Sequence, residues 1–145
     1  MANVGPKANI LKVSAQLKKS LMSAGTLESC TANQILFRVD QETAGVYLVV
    51  KGKVRLSLPE LPKLDRVFTP GSLLGLPATF TGHTYSLDAT SITAAEVLHV
   101  GRDVFLQLMS GKPEYCREAA NILSREVSFI QSALAQRRRT KPTAA

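Results

Sequence analysis

This sequence predicts a mostly β domain with flanking helices, and three observations carry that prediction. Between Leu27 and Val100, short runs rich in β-branched and aromatic residues recur at close spacing, punctuated by Gly, Pro, Asp and Ser. Before them Ile10, Val13, Leu17 and Leu21 return at three- and four-residue steps, the period of an amphipathic helix. After them, from Pro113, apolar positions again return at helical spacing. At 145 residues, 45% hydrophobic and 20% charged, the chain is sized for one domain with a core large enough to fold without staples.

The first element, within residues 1–26, is a helix with one apolar face and lysines between. Pro6 stands near its start and Gly25 near its end, where such residues belong. It is expected to lie on a core with its lysine face solvated. Residues 27–110 hold strands at 35–38, 46–50, 54–58, 64–69, 85–90 and 92–100, a number and spacing that point to a sandwich or barrel. Gly52 suits a tight hairpin across which the runs on either side can pair, and Pro59 and Pro62 close the strand that follows, since neither can donate to a ladder.

Between two of these runs lies GLPATFTGHTYS, residues 75–86, a turn-rich insert after Pro70-Gly71. It reads as a short helical turn, and the free backbone N–H groups at such a helix start form a natural anion site. Gly101-Arg102-Asp103 then opens a short helix through Val104, Phe105, Leu108 and Met109, stopped by Gly111. The long helix, within 111–136, carries two stripes. Cys116, Ala119, Leu123, Val127, Ile130 and Leu134 form one; Tyr115, Ile122 and Phe129, spaced by seven, form the other. Together they are wider than a helix needs against its own domain, so the second stripe is expected to be a homodimer seam. Residues 137–145 form a basic tail whose cations suit a solvated helix end.

Charge is unevenly placed. The net +7 divides into +4 over residues 1–26, −1 over 27–110 and +4 over 111–145. A balanced middle argues against a basic groove across a central sheet, so nucleic acid is not an expected partner without a separate DNA-binding chain. No run approaches the roughly 18 apolar residues of a membrane span, and the N-terminus lacks a secretory pattern, which makes the cytoplasm the expected location. Cys30 and Cys116 are too few for a thiolate metal site and read as buried thiols. His83 and His99 form no paired ligand motif, and neither a phosphate loop for ATP nor a G-x-S-x-G elbow occurs, so no catalysis and no cofactor are expected.

The segments LFRVDQETAGVYLVVKGKVRLSL, TPGSLLGLPATFTGHTYS and HVGRDVFLQLM, followed by the helix from Pro113, resemble the cyclic-nucleotide-binding domain of the catabolite-activator (CRP/FNR)-like regulators and of cyclic-nucleotide-gated kinases and channels. The most specific part is Phe37-Arg38 with Asp40, then Tyr47-Leu48-Val49, Gly52, Val54 and Arg55. The resemblance covers about residues 27–136. It implies a cupin-like double-stranded β-roll, or jelly roll, with an N-terminal helix and a long C-terminal helix.

By the same resemblance residues 75–86 correspond to the phosphate-binding cassette. The family typically has Gly-Glu at its start, one short helix, and Arg-Ser or Arg-Thr at its end. Here Gly75 matches the Gly, Leu76 stands for the Glu, Tyr85 for the Arg, and Ser86 matches the Ser. Leu76 cannot accept a hydrogen bond, and Tyr85 offers one neutral hydroxyl in place of a charged planar fork. A charge-assisted hydrogen bond contributes roughly 1.5–3 kcal/mol, so these changes together weaken nucleotide binding by about two to four powers of ten. Gly75, Leu76, Pro77, Ala78, Tyr85 and Ser86 are the candidate ligand-binding residues, with Ser128 and Gln131 of the long helix covering the ligand.

Two functions are weighed. One is a non-enzymatic sensor domain that binds cyclic AMP, cyclic GMP or a related small ligand in the roll and signals through the C-terminal helix. The other is a degenerate roll, filled by Leu76 and Tyr85, that serves dimerisation or docking on an unidentified protein. In regulators of the resembled family the long helix leads into a winged helix-turn-helix; nine residues follow Gln136, so a stand-alone domain is expected.

Overall fold

The computed structural model describes the backbone of residues 10–140 and the side chains of residues 10–135. Helix α1 (Ala15–Ala24) precedes β1 (Thr26–Cys30), β2 (Ile35–Phe37), β3 (Val46–Lys51) and β4 (Val54–Ser57). A 3-10 turn at Pro62–Leu64 leads to β5 (Arg66–Phe68) and β6 (Leu73–Leu74). After α2 (Leu76–Thr81) come β7 (Asp88–Ser91), β8 (Ala95–Val100), α3 (Arg102–Gly111) and α4 (Pro113–Thr140). The strands make two four-stranded antiparallel sheets, ordered β1-β8-β3-β6 and β2-β7-β4-β5, and together they form the expected β-roll.

Side-chain alternation explains how the sheets are covered. In β3, Val46 and Leu48 bury on one side and Tyr47 and Val49 on the other; in β8, Leu98 and Val100 oppose Ala95 and Val97. Because successive strand residues point to opposite faces, this central pair is apolar on both. The roll interior collects Phe37, Tyr47, Val49, Val54, Leu56 and Phe68 among others. The outer face is covered by the helices, through Leu17 and Leu21 of α1 and Phe105 and Met109 of α3.

Helix α4 serves both layers. Tyr115, Ala119 and Ile122 pack in the helix-side cluster, whereas Phe129 and Ala133 pack in the roll interior. Its first half is tied to α1: Glu118 accepts from both the backbone N–H and the hydroxyl of Ser14, the α1 N-cap. The Tyr115 hydroxyl lies 2.8 Å from that of Ser20.

Several expectations change. Tyr115, Ile122 and Phe129 are 5%, 8% and 8% exposed, because they face this chain's own clusters, and so cannot form a dimer seam. The runs on either side of Gly52 do not pair: β3 joins β8 and β6, while β4 joins β7 and β5. Gly52, at φ 85°, instead turns the chain from one sheet to the other, and a Cβ there would sit 2.4 Å from the Ala94 carbonyl oxygen. The first helix begins only at Ala15. Residues 10–14 form a non-helical strap, with the Val13 N–H donating to Gly71 at 2.9 Å and the Lys12 ammonium donating to Thr69 and Pro70. Cys116 is exposed rather than buried. Pro6 and residues 141–145 of the tail lie outside the described residues.

Candidate functional site

The 75–86 segment folds as one short helix between two left-handed glycines. Gly75, the α2 N-cap, has φ 87°, and Gly82, the C-cap, has φ 77°. A Cβ at Gly75 would come within 3.1 Å of both the Gly45 carbonyl oxygen and the Tyr85 ring, so glycine is required by conformation and by space. The turn is held by the Thr79 hydroxyl donating to the Gly75 carbonyl at 2.7 Å and by the Arg102 Nε donating to the Thr79 carbonyl at 2.8 Å.

Leu76 and Tyr85 diverge inside this frame. Leu76, 2% exposed, buries in the helix-side cluster with Leu17, Leu21 and Val46. Tyr85, also 2% exposed, turns into the roll and stacks on Phe37 with ring centroids 3.9 Å apart. Its hydroxyl donates to the Gly45 carbonyl at 2.8 Å and accepts from the Ala44 N–H at 2.9 Å. Both hydrogen-bonding roles of the phenol are thus met by this chain's own backbone. Ala78 is buried in the interior, Pro77 is half-buried, and Ser86 and His83 are exposed.

The remaining space is small. One cavity of about 40 Å³ is lined by Arg66, Gly75, Pro77, Ile122, Glu126 and Phe129 among others; a second of about 20 Å³ is lined by Phe37, Tyr85, Ser86 and Glu126 among others. Such volumes suit a water molecule or two, against the roughly 300–1,000 Å³ of a typical ligand pocket.

The α4 side chains that reach these cavities are Ile122, Arg125, Glu126 and Phe129. Ser128 and Gln131 are exposed and line neither, so they do not cover this space. Arg66 is the feature that sequence reasoning missed. It is the one buried charged residue among the described residues, and its guanidinium makes a two-toothed pair with Glu126 at 2.7 and 2.9 Å. Its Nε donates to the Leu64 carbonyl, and its Cζ lies over the Phe129 ring, 4.1 Å from the centroid. One signal was present: Glu126 lies on the same helical stripe as Ile122 and Phe129, and a carboxylate on a buried stripe calls for a cation opposite.

Burial dominates the electrostatics of the interior. It pushes the Tyr47 phenol up to about 12, with Tyr85, Glu28 and Cys30 adding smaller repulsions, and it also raises the Cys30 thiol. Among the described residues no group of His, Cys, Asp and Glu could hold a metal ion, and no helix is long and apolar enough to cross a membrane.

The chain belongs to the cyclic nucleotide-binding domain family, whose model matches residues 27–112. Its fold is similar to that of the Thermus thermophilus catabolite activator protein, with 22% identity and a TM-score of 0.70 over 85% of this chain and 59% of that one. A Thermotoga maritima transcriptional regulator has 16% identity and a TM-score of 0.68 over 81% of this chain and 94% of that one. The CBD2 domain of PKAR, solved with Sp-2Cl-cAMPS bound, has 14% identity and a TM-score of 0.68 over 86% and 79%. This chain spans about three fifths of the length of the Thermus protein. A search of curated proteins by sequence finds no match.

Proposed function

We propose that this chain is a non-enzymatic regulatory domain, located in the cytoplasm, that binds a cyclic nucleotide or a related small ligand weakly at the 75–86 cassette and passes the response through α4. The observation that carries this reading is the retained backbone of the cassette. Gly75 in the left-handed region, the short α2 and the Gly82 cap lie where α4 side chains meet the roll, with Gly75, Pro77 and Glu126 lining one cavity. Leu76 and Tyr85 supply no charge, so affinity is expected to be two to four powers of ten weaker than a charged cassette would give.

Isothermal titration with cyclic AMP and cyclic GMP tests this. Heat at high micromolar or weaker affinity is expected; no heat, together with no thermal shift at millimolar ligand, would overturn it. The second reading, a roll without nucleotide binding, is favoured by one observation: Tyr85 already occupies the interior and has both hydrogen-bonding roles met within the chain. It predicts the null titration.

In either reading we assign α4 as the homodimer element through its outer face. Cys116, Ala120, Val127 and Leu134 are exposed on that face, Val127 and Leu134 at 43% and 37%, with Leu123 and Ile130 half-buried at its edge against this chain's own clusters. Such a stripe is self-complementary across a two-fold axis.

A further inference from the structure

We infer that the Glu126 carboxylate is a built-in occupant of an anion site formed by Arg66, and that an anionic ligand enters the roll by displacing it. This rests on the ligand-binding reading above and adds what holds the charge and what closes the site. The Arg66 side chain is 5% exposed, so its guanidinium is held inside the roll rather than in solvent. Its Cζ lies over the Phe129 ring, its Nε donates to the Leu64 carbonyl, and its Nη1 and Nη2 each donate to one oxygen of Glu126. A fork fixed in this way recognises any planar pair of acceptor oxygens, whether carboxylate or phosphate.

The occupant stands where a cassette-bound ligand would be. Glu126 shares one cavity with Arg66, Gly75 and Pro77 and the other with Tyr85 and Ser86. With a neutral phenol at position 85, Arg66 is the buried cation that an incoming anion can reach. The Nη1–Nη2 edge is already filled by Glu126, so binding at that edge is an exchange. Once displaced, the Glu126 carboxylate, 17% exposed at a cavity mouth that Arg125 also lines, loses its two-toothed partner and turns to water. Phe129, one turn on, packs against the same guanidinium, so this part of α4 moves with it. Ligand entry and α4 release become one event, and each promotes the other.

The ligand class is a small anion with two coplanar acceptor oxygens, which a cyclic phosphate diester provides. Glu126→Gln in the full chain removes the competing charge while keeping the size of the side chain. Cyclic AMP, adenosine and inorganic phosphate are the probes, read by isothermal titration alongside hydrogen exchange of α4. Expected results are at least about a tenfold tighter binding of cyclic AMP than in wild type, no gain for adenosine, and faster exchange over residues 122–135. Adding Arg66→Gln should abolish the gain. A comparable gain for inorganic phosphate would identify the ligand as a free anion rather than a nucleotide.

The inference is overturned if Glu126→Gln binds cyclic AMP and phosphate no tighter than wild type, if adenosine gains equally, or if α4 exchange is unchanged. Should Glu126→Gln not fold, Glu126→Asp keeps the charge but shortens its reach, and the same gain in smaller measure is required of it. Tyr85→Arg run in parallel separates the failures. If it binds cyclic AMP while the position-126 variants gain nothing, the occupant idea alone falls; if none binds, the nucleotide reading falls with it.

Discussion

Tyr85 lies on Phe37 with their rings 14° from parallel, and its hydroxyl bridges the backbone of Ala44 and Gly45. The phenol therefore ties the end of the cassette to the loop before β3. Tyr85→Phe keeps the stack but strips the Gly45 carbonyl and the Ala44 N–H of their partner. It should lower stability by about 1–3 kcal/mol, the penalty of unsatisfied buried groups. Tyr85→Ala also removes the ring and should cost about 3–5 kcal/mol. Urea denaturation measures both; equal losses would show that the hydroxyl, not the ring, carries the effect.

Tyr85→Arg tests the cassette itself. A guanidinium there supplies the charge that cyclic phosphate needs, at the expense of the stack and both backbone hydrogen bonds. Cyclic AMP affinity should rise at least about tenfold while the unliganded protein loses roughly 2–3 kcal/mol. Leu76→Glu is the poorer companion, because Leu76 is buried in the helix-side cluster and its replacement would bury a carboxylate without a partner. Titration at matched folded fraction decides the point, and a folded Tyr85→Arg protein without affinity would make the cassette a structural remnant.

The strands and helices were legible because their periods are local, and the limits appear where the deciding partner is distant. Strand β1 escaped notice since Thr26–Ser29 are exposed and polar in pattern, and only Cys30 is buried; β6 is two residues long. Residues 85–87 read as strand, yet Tyr85 bonds Gln41 in a loop pairing and β7 begins at Asp88. Both α4 stripes were visible, but which one faces inward is decided by distant partners in the roll and in α1 and α3, and the Arg66–Glu126 pair spans 60 positions of sequence. The 75–86 insert was legible as a turn-rich loop, and its correspondence to the cassette followed from the family resemblance, whereas the inward turn of Tyr85 required the positions of Phe37 and Gly45.

The outer stripe of α4 predicts the assembly. Wild type should be dimeric by light scattering, and Val127→Glu, which places like charges against each other across the two-fold axis, should be monomeric with stability otherwise little changed. Exposed Cys116 lies on the same stripe and should cross-link between copies with a short bis-maleimide if the helices run parallel. A Val127→Glu protein that remains dimeric would place the interface elsewhere.

The Tyr47 phenol predicts an alkaline limit. Its folded value near 12 exceeds the unfolded value of 10, so the fold retains a proton that the unfolded chain gives up. The stability linked to it is fully present below pH 10 and is lost as pH rises from 10 to 12, by roughly 2–3 kcal/mol. Tyr47→Phe has no proton to lose there. Its melting temperature should fall less between pH 9.5 and 11.5 than that of wild type; parallel decline in the two proteins would assign the limit to other groups.

The Arg66–Glu126 pair predicts a particular pattern of non-additivity. Arg66→Met leaves a carboxylate 17% exposed without its two-toothed partner, and Glu126→Met leaves a guanidinium 5% exposed with its Nη1–Nη2 edge unfilled. Each should destabilise by about 3–5 kcal/mol, because a buried charge without its partner is far less favourable than the pair. With both methionines present no charge is stranded, and apolar packing against Phe68 and Phe129 replaces the pair. The double variant should then lie within about 1–2 kcal/mol of wild type, giving a coupling of several kcal/mol between positions 66 and 126. Chemical denaturation of the four proteins measures that cycle, and simple addition of the single losses would show that the two side chains act independently.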